Sequence, residues 1–223
     1  MKMTGRLALA LLIILAVLPA TPVAAQPIPR DVVTVGIVSG SGVIDVPVYI
    51  RDVSNTTLGM DQPAGARIQS YSITVHYAPT APVQSISFTR AGITAGLTPT
   101  FESNPSVPGT VTLLDTFPEA TQPIPFTLDA LPPGNLIGHL TVAIAPGTPA
   151  GTVINLTLDA ALTQLASEGG NPLTVETTTN NRLALINGSI TVLATGADVP
   201  SLSTWALIAL ATALAAVALR LRF

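Results

Sequence analysis

A period of two runs through the middle of this chain. In residues 31–38, Val33, Val35 and Ile37 alternate with their neighbours. In 43–50, Ile44, Val46, Val48 and Ile50 do the same, leaving Val43, Asp45, Pro47 and Tyr49 on the other side. Within 68–77, Tyr71, Ile73, Val75 and Tyr77 stand opposite Ser70, Ser72, Thr74 and His76. Successive side chains of a strand point to opposite faces, so this alternation specifies strands with one buried side. Further segments of this type are 84–89, 110–115, 136–144, 153–159, 173–177, 183–186 and 189–193. No stretch of the middle sustains the 3.6-residue apolar period of a helix. Residues 160–166 read equally as a helical turn or a strand.

Turn chemistry separates these segments: Ser39-Gly40-Ser41-Gly42, Pro132-Pro133-Gly134-Asn135, Pro146-Gly147-Thr148-Pro149 and Gly169-Gly170-Asn171-Pro172. Asn187-Gly188, between two apolar alternations, predicts a hairpin, because a type I′ turn needs positive φ at both central residues. Pro47 has no N–H to give a ladder and predicts an edge strand or a bulge. Many short strands, one polar face and no long helix predict an all-β, antiparallel, two-sheet sandwich.

The two ends differ from this middle. Lys2 and Arg6 precede an apolar run of twelve residues, 7–18, followed by Pro19, Pro22 and Val23-Ala24-Ala25. That order predicts a secretory signal helix cleaved between Ala25 and Gln26, since the run is too short to span a bilayer. Residues 202–219 form eighteen uncharged positions with Trp205 near the entry and Arg220 and Arg222 after the exit. At 1.5 Å per residue they cover about 27 Å, enough for a transmembrane helix. Arginines beyond the span hold that end in the cytoplasm and put the preceding domain outside. The predicted organisation is a signal peptide at 1–25, a sandwich at 26–196 and a membrane-spanning sorting signal at 197–223.

Val199, Pro200, Ser201, Leu202, Ser203 and Trp205, then the apolar span and the arginines, resemble the bacterial IPTL-CTERM sorting tail. Thr204 stands where that tail usually carries an acidic residue. The resemblance implies an exosortase-type membrane enzyme as a processing partner. It also implies a chain exported to the bacterial envelope or cell surface, there anchored or released.

The middle also resembles a known family. Val35-Gly36 with a turn into Ile44-Asp45-Val46-Pro47-Val48, then 71–79 (YSITVHYAP), 134–142 (GNLIGHLTV), the 146–152 turn and the closing 187–192 (NGSITV) are similar to the cohesin domains of cellulosome scaffolds. Ala78 stands where cohesins usually carry Asp. The resemblance implies a jelly-roll sandwich, a shape shared with carbohydrate-binding modules. It also implies a dockerin-like protein partner bound on a sheet face that includes 68–77. Ser70, Ser72, Thr74 and His76 are the candidate ligand-binding residues on that strand, and Tyr49 is the best aromatic candidate for a sugar.

Chemistry of other kinds is poorly supplied. The chain has no cysteine and two histidines, His76 and His139, which excludes thiolate zinc sites and cysteine nucleophiles. No Gly-x-Ser-x-Gly elbow marks a serine nucleophile, and no phosphate loop or EF-hand is present. Asp115, Glu119 and Asp129 lie near one another in sequence and read as a solvated loop rather than a glycosidase pair. Asp31, Asp45, Asp52 and Asp61 offer carboxylates for a calcium site at a sheet end but lack the dense ligand pattern of a calcium loop, and no metal or cofactor is assigned. Lys2, Arg6, Arg220 and Arg222 belong to the ends; of 9 basic residues, 5 remain against 12 acidic ones between 26 and 200, a net of −7. That sign opposes nucleic-acid binding. The one tryptophan is Trp205, so the domain has no indole platform for sugars. The sequence therefore points to a non-catalytic, exported binding or scaffold module that recognises a protein. The alternatives are a carbohydrate-binding accessory in polysaccharide breakdown and a structural matrix protein.

Overall fold

The computed structural model describes residues 28–169 and 174–194. The predicted leader, sorting motif and membrane span lie outside the described residues. Among the described residues, no helix is long and apolar enough to cross a membrane.

The described residues form fourteen strands and one 3-10 turn, Gly92–Thr94. The first five strands are β1 (Asp31–Val35), β2 (Ile37–Gly40), β3 (Val43–Arg51), β4 (Ser70–Ala78) and β5 (Val83–Arg90). Next come β6 (Phe101–Ser103), β7 (Ser106–Val107), β8 (Thr110–Thr116) and β9 (Asn135–Ile144). The last are β10 (Val153–Leu158), β11 (Gln164–Ala166), β12 (Glu176–Thr177), β13 (Leu183–Ile186) and β14 (Gly188–Val192). The smaller sheet runs β13-β1-β3-β9-β5. In the larger sheet β4 is central: β8 pairs along one edge, while β10 and β11 share the other. β14 and β2 extend it beyond β10, and β6 and β7 lie outside β8. This is the all-β two-sheet sandwich that the alternation predicts.

The core lies between the sheets, where the alternating sides meet. Val33, Val46, Val48, Ile50, Ile137 and Val142 enter from the smaller sheet, and Tyr71, Ile73, Val75, Leu113, Ile154 and Leu156 from the larger; all are nearly inaccessible. Burying each of the larger aliphatic side chains stabilises the fold by about 1.5–3 kcal/mol. Tyr71 and Phe117 pack as a tilted pair with ring centroids 6.2 Å apart.

Three local expectations are corrected. The 31–38 segment is two strands, because the chain leaves the smaller sheet after Val35 and joins the larger at Ile37. Asn187-Gly188 is not a hairpin: β13 pairs parallel with β1, and β14 pairs parallel with β2, so here too the chain steps between sheets. Gly188 is needed for space rather than for positive φ, since a Cβ there would lie 2.2 Å from the Gly36 carbonyl oxygen. Each sheet thus contains one parallel pair. Pro47 lies on an interior strand, not an edge. Its carbonyl accepts from Gly36 N at 2.8 Å on the flank where β1 ends, and a register shift follows between Val48 and Tyr49. The missing N–H therefore faces a flank where the ladder has already stopped.

Candidate functional site

Alternation turns the even-numbered residues of β4 outward, and antiparallel pairing sets partners opposite them on β8. Ser70 Oγ lies 2.9 Å from Thr116 Oγ1, and Thr74 Oγ1 lies 3.0 Å from Thr112 Oγ1. His76 Nδ1 lies 3.0 Å from Thr110 Oγ1. These are in-register pairs, so the polar groups form a ladder across two strands. His76 Nε2 reaches Asp159 Oδ2 at 2.8 Å. With that nitrogen turned to Asp159, Nδ1 is left to pair with the Thr110 hydroxyl.

Asp159 also shapes the loop beside the ladder. Its Oδ1 accepts from the amides of Ala161 and Leu162 at 2.8 and 3.0 Å. The hydrogen bond from His76, then those two amides, hold its carboxyl below the usual aspartate range. The loop so formed lies over β4. Ser72 Oγ donates to Leu162 O at 3.1 Å, and Thr74 N donates to Thr163 Oγ1 at 3.3 Å.

The structure therefore divides the five candidate residues. His76 is exposed, and Ser70 and Ser72 are half-buried on the same face. Thr74 keeps its outward direction but is only 2% exposed, because the 159–163 loop covers it. It is not available to a partner, which corrects the expectation from alternation. Tyr49 sits on the other sheet, opposite Thr34 on β1 and beside Pro47, Pro133 and Ile186, so it does not join the β4 row.

Sequence reading missed the apolar members of this face. Phe101 pairs with Thr116 and Val107 with Thr110, which places both on the ladder's side. They are 51% and 60% exposed, and Leu162 on the covering loop is 55% exposed. Strands of three and two residues flanked by Pro105 and Pro108 show no period to find. The only available signal was an apolar residue within a proline-rich stretch.

The sequence-adjacent carboxylates do not converge. Asp115 is not in a solvated loop but buried on β8, accepting from the Tyr71 hydroxyl at 2.8 Å. Glu119 accepts from Gly65 N at 2.9 Å and lies 3.7 Å from Arg67, while Asp129 accepts from Ser54 N at 3.0 Å. Asp45 is on the smaller sheet's outer side with Thr141 at 2.7 Å, apart from Asp31 and Asp52 at the sandwich end. Among the described residues, no group of three or more His, Cys, Asp or Glu is placed to hold a metal ion. A cleft of about 500 Å³ opens between β5 and β7, and no carboxylate, histidine or cation lines it.

A two-sheet β-sandwich defines the class, and solved structures share the fold. The third cohesin of ScaC from Acetivibrio cellulolyticus, in complex with the ScaB dockerin, is 18% identical with a TM-score of 0.51, covering 74% of this chain and 100% of that one. The seventh ScaB type I cohesin from Pseudobacteroides cellulosolvens is 20% identical with a TM-score of 0.50, covering 76% and 96%. CaCohA2 from Clostridium acetobutylicum is 20% identical with a TM-score of 0.50, covering 75% and 94%. The fold is thus that of cohesin domains. No family model matches the chain. No curated protein matches it either.

Proposed function

We propose that this chain is a non-catalytic binding module that recognises a protein partner on the outer face of β4 and β8. What carries the reading is the composition of that face: a ladder of paired hydroxyls with exposed His76, bordered by Phe101, Val107 and Leu162. Protein interfaces combine apolar anchors with polar groups whose bonds are satisfied, and this face supplies both. The cohesin of Acetivibrio cellulolyticus, which shares the fold, was solved with a dockerin. A dockerin-like helix pair is accordingly the partner class we assign. In the same reading, 1–25 exports the chain and 197–223 holds it at the envelope until an exosortase-type enzyme processes it.

Carbohydrate recognition lacks a comparable observation, since Tyr49 and Phe101 lie on different sheets and form no common platform. Isothermal titration of the full chain with a panel of dockerin modules tests the proposal. One or more should bind, and Phe101→Ala and His76→Ala should each weaken binding by at least about tenfold, as expected of interface anchors, without lowering Tm. Silence across the panel, or variants that bind like wild type, rejects the assignment.

A further inference from the structure

The end of the sandwich where β1 begins carries three carboxyl groups with no exposure to solvent: Asp31, Asp52 and Glu176. One oxygen of each is held by backbone. Asp31 Oδ1 accepts from Val53 N at 2.8 Å, and Asp52 Oδ2 from Met60 N at 2.8 Å. Glu176 Oε1 accepts from Thr57 N and Leu58 N at 2.8 and 2.9 Å. The other oxygens, Asp31 Oδ2, Asp52 Oδ1 and Glu176 Oε2, are buried and lack a donor.

Asp31 N donates to Arg182 O at 3.0 Å and Arg182 N to Thr177 O at 3.2 Å, so backbone pairing sets Asp31 beside Glu176, within reach of a side-chain hydrogen bond. Two ionised carboxylates have no hydrogen to share, so such a contact requires a proton. No basic residue answers the charge: the ion pairs among the described residues are Arg67–Glu119, His76–Asp159 and Arg90–Glu102. The charged groups that act on this end are themselves acidic. Asp52 acts on Asp31, while Asp61, Glu176 and Asp129 act on Asp52. Arg51 acts on Asp129, beyond them.

We propose that Asp31 and Glu176 hold one proton between their facing oxygens, so that this end of the sandwich is a latch closed by acid. It joins the start of β1, β12 and the connection from β3 to β4, whose amides at Val53, Thr57 and Leu58 the two carboxyls grip. A cation could replace the proton chemically, but the described residues offer it no third acidic ligand in place.

Burial, then the Glu176 hydrogen bond and charge, push Asp31 far above the usual carboxylate range. A raised folded value means that folding favours the protonated group. Stability is therefore greatest below the unfolded value near 3.8 and falls as pH rises from there through neutrality.

Calorimetric melting of the full chain between about pH 6.5 and pH 8.5 tests the proposal. Wild type should lose Tm steadily across that range. Asp31→Asn, whose amide donates to Glu176 at every pH, should lose less and melt roughly 3–6 °C above wild type at the alkaline end. Glu176→Gln, whose amide faces Asp31 while its oxygen still takes the Thr57 and Leu58 amides, should flatten the slope likewise. An unchanged slope in whichever variant folds overturns the proposal. Failure of both variants to fold at about pH 5 also overturns it, because a neutral pair is what the latch is said to hold. A wild-type Tm that rises with calcium chloride or falls with EDTA overturns it as well, and assigns the free oxygens to a cation.

Discussion

Asp115 and Asp31 are equally buried, on different sheets, and the interior receives them differently. Asp115 on β8 faces a phenol: Tyr71 Oη donates to Oδ2 at 2.8 Å. Asp31 on β1 faces another acid. Burial pushes the Asp115 carboxyl up to about 6, with the Tyr71 hydrogen bond as the main opposing influence; Glu102 raises it further and Arg90 lowers it. Burial and the Asp115 charge push the Tyr71 hydroxyl upward too, so it stays a donor. A buried carboxylate given a permanent donor can ionise near neutrality, whereas one set beside a second acid keeps its proton to higher pH.

Stripping the donor from the first site should have the largest effect. Tyr71→Phe leaves a dry carboxylate in the core and should cost about 1–3 kcal/mol at pH 7. Thermal melts should show a smaller loss near pH 4, where Asp115 is protonated and needs no donor; equal losses at both values would break the comparison. Next comes Asp115→Asn. A group raised from 3.8 to about 6 loses stability as pH climbs between those values and none beyond. The variant's melting curve should flatten in part below about pH 6, with Asp52, also raised to about 6, keeping its share. Its slope above pH 6 should match wild type, and a change there would show that the two acids are not separable. The smallest effect belongs to the outer face. Thr112→Val removes the partner of Thr74 Oγ1 and should cost under about 1 kcal/mol with no pH dependence, because one neutral hydroxyl is at stake.

Much of the sandwich is legible locally. The alternation of Ile44 to Ile50 and of Tyr71 to Tyr77 names their buried sides, because one face of each strand packs on the core. What escapes a local reading depends on distant segments. Gly36 and Gly188 sit where the chain passes between sheets: a Cβ at Gly188 would meet the Gly36 carbonyl oxygen, and one at Gly36 would lie 2.7 Å from Pro47 Cγ. Thr74 follows the outward pattern, yet a loop 85 residues further along covers it: Thr163 N donates to Asp159 O, and Thr163 Oγ1 accepts from Thr74 N. The acid pair joins residues from opposite ends of the domain and leaves no local trace. Of the candidate site, Ser70, Ser72 and His76 were readable from period two, and Phe101 and Val107 were not, since strands so short carry no period.

The crossing at Gly36 and Gly188 has a mechanical side. Because β1 runs parallel to β13 and β2 parallel to β14, the domain's first and last strands point the same way along two sheets. A tug between its entry and exit would drag these neighbours lengthwise past each other, straining many rungs at once instead of peeling them singly. Such geometry resists being drawn out into thread.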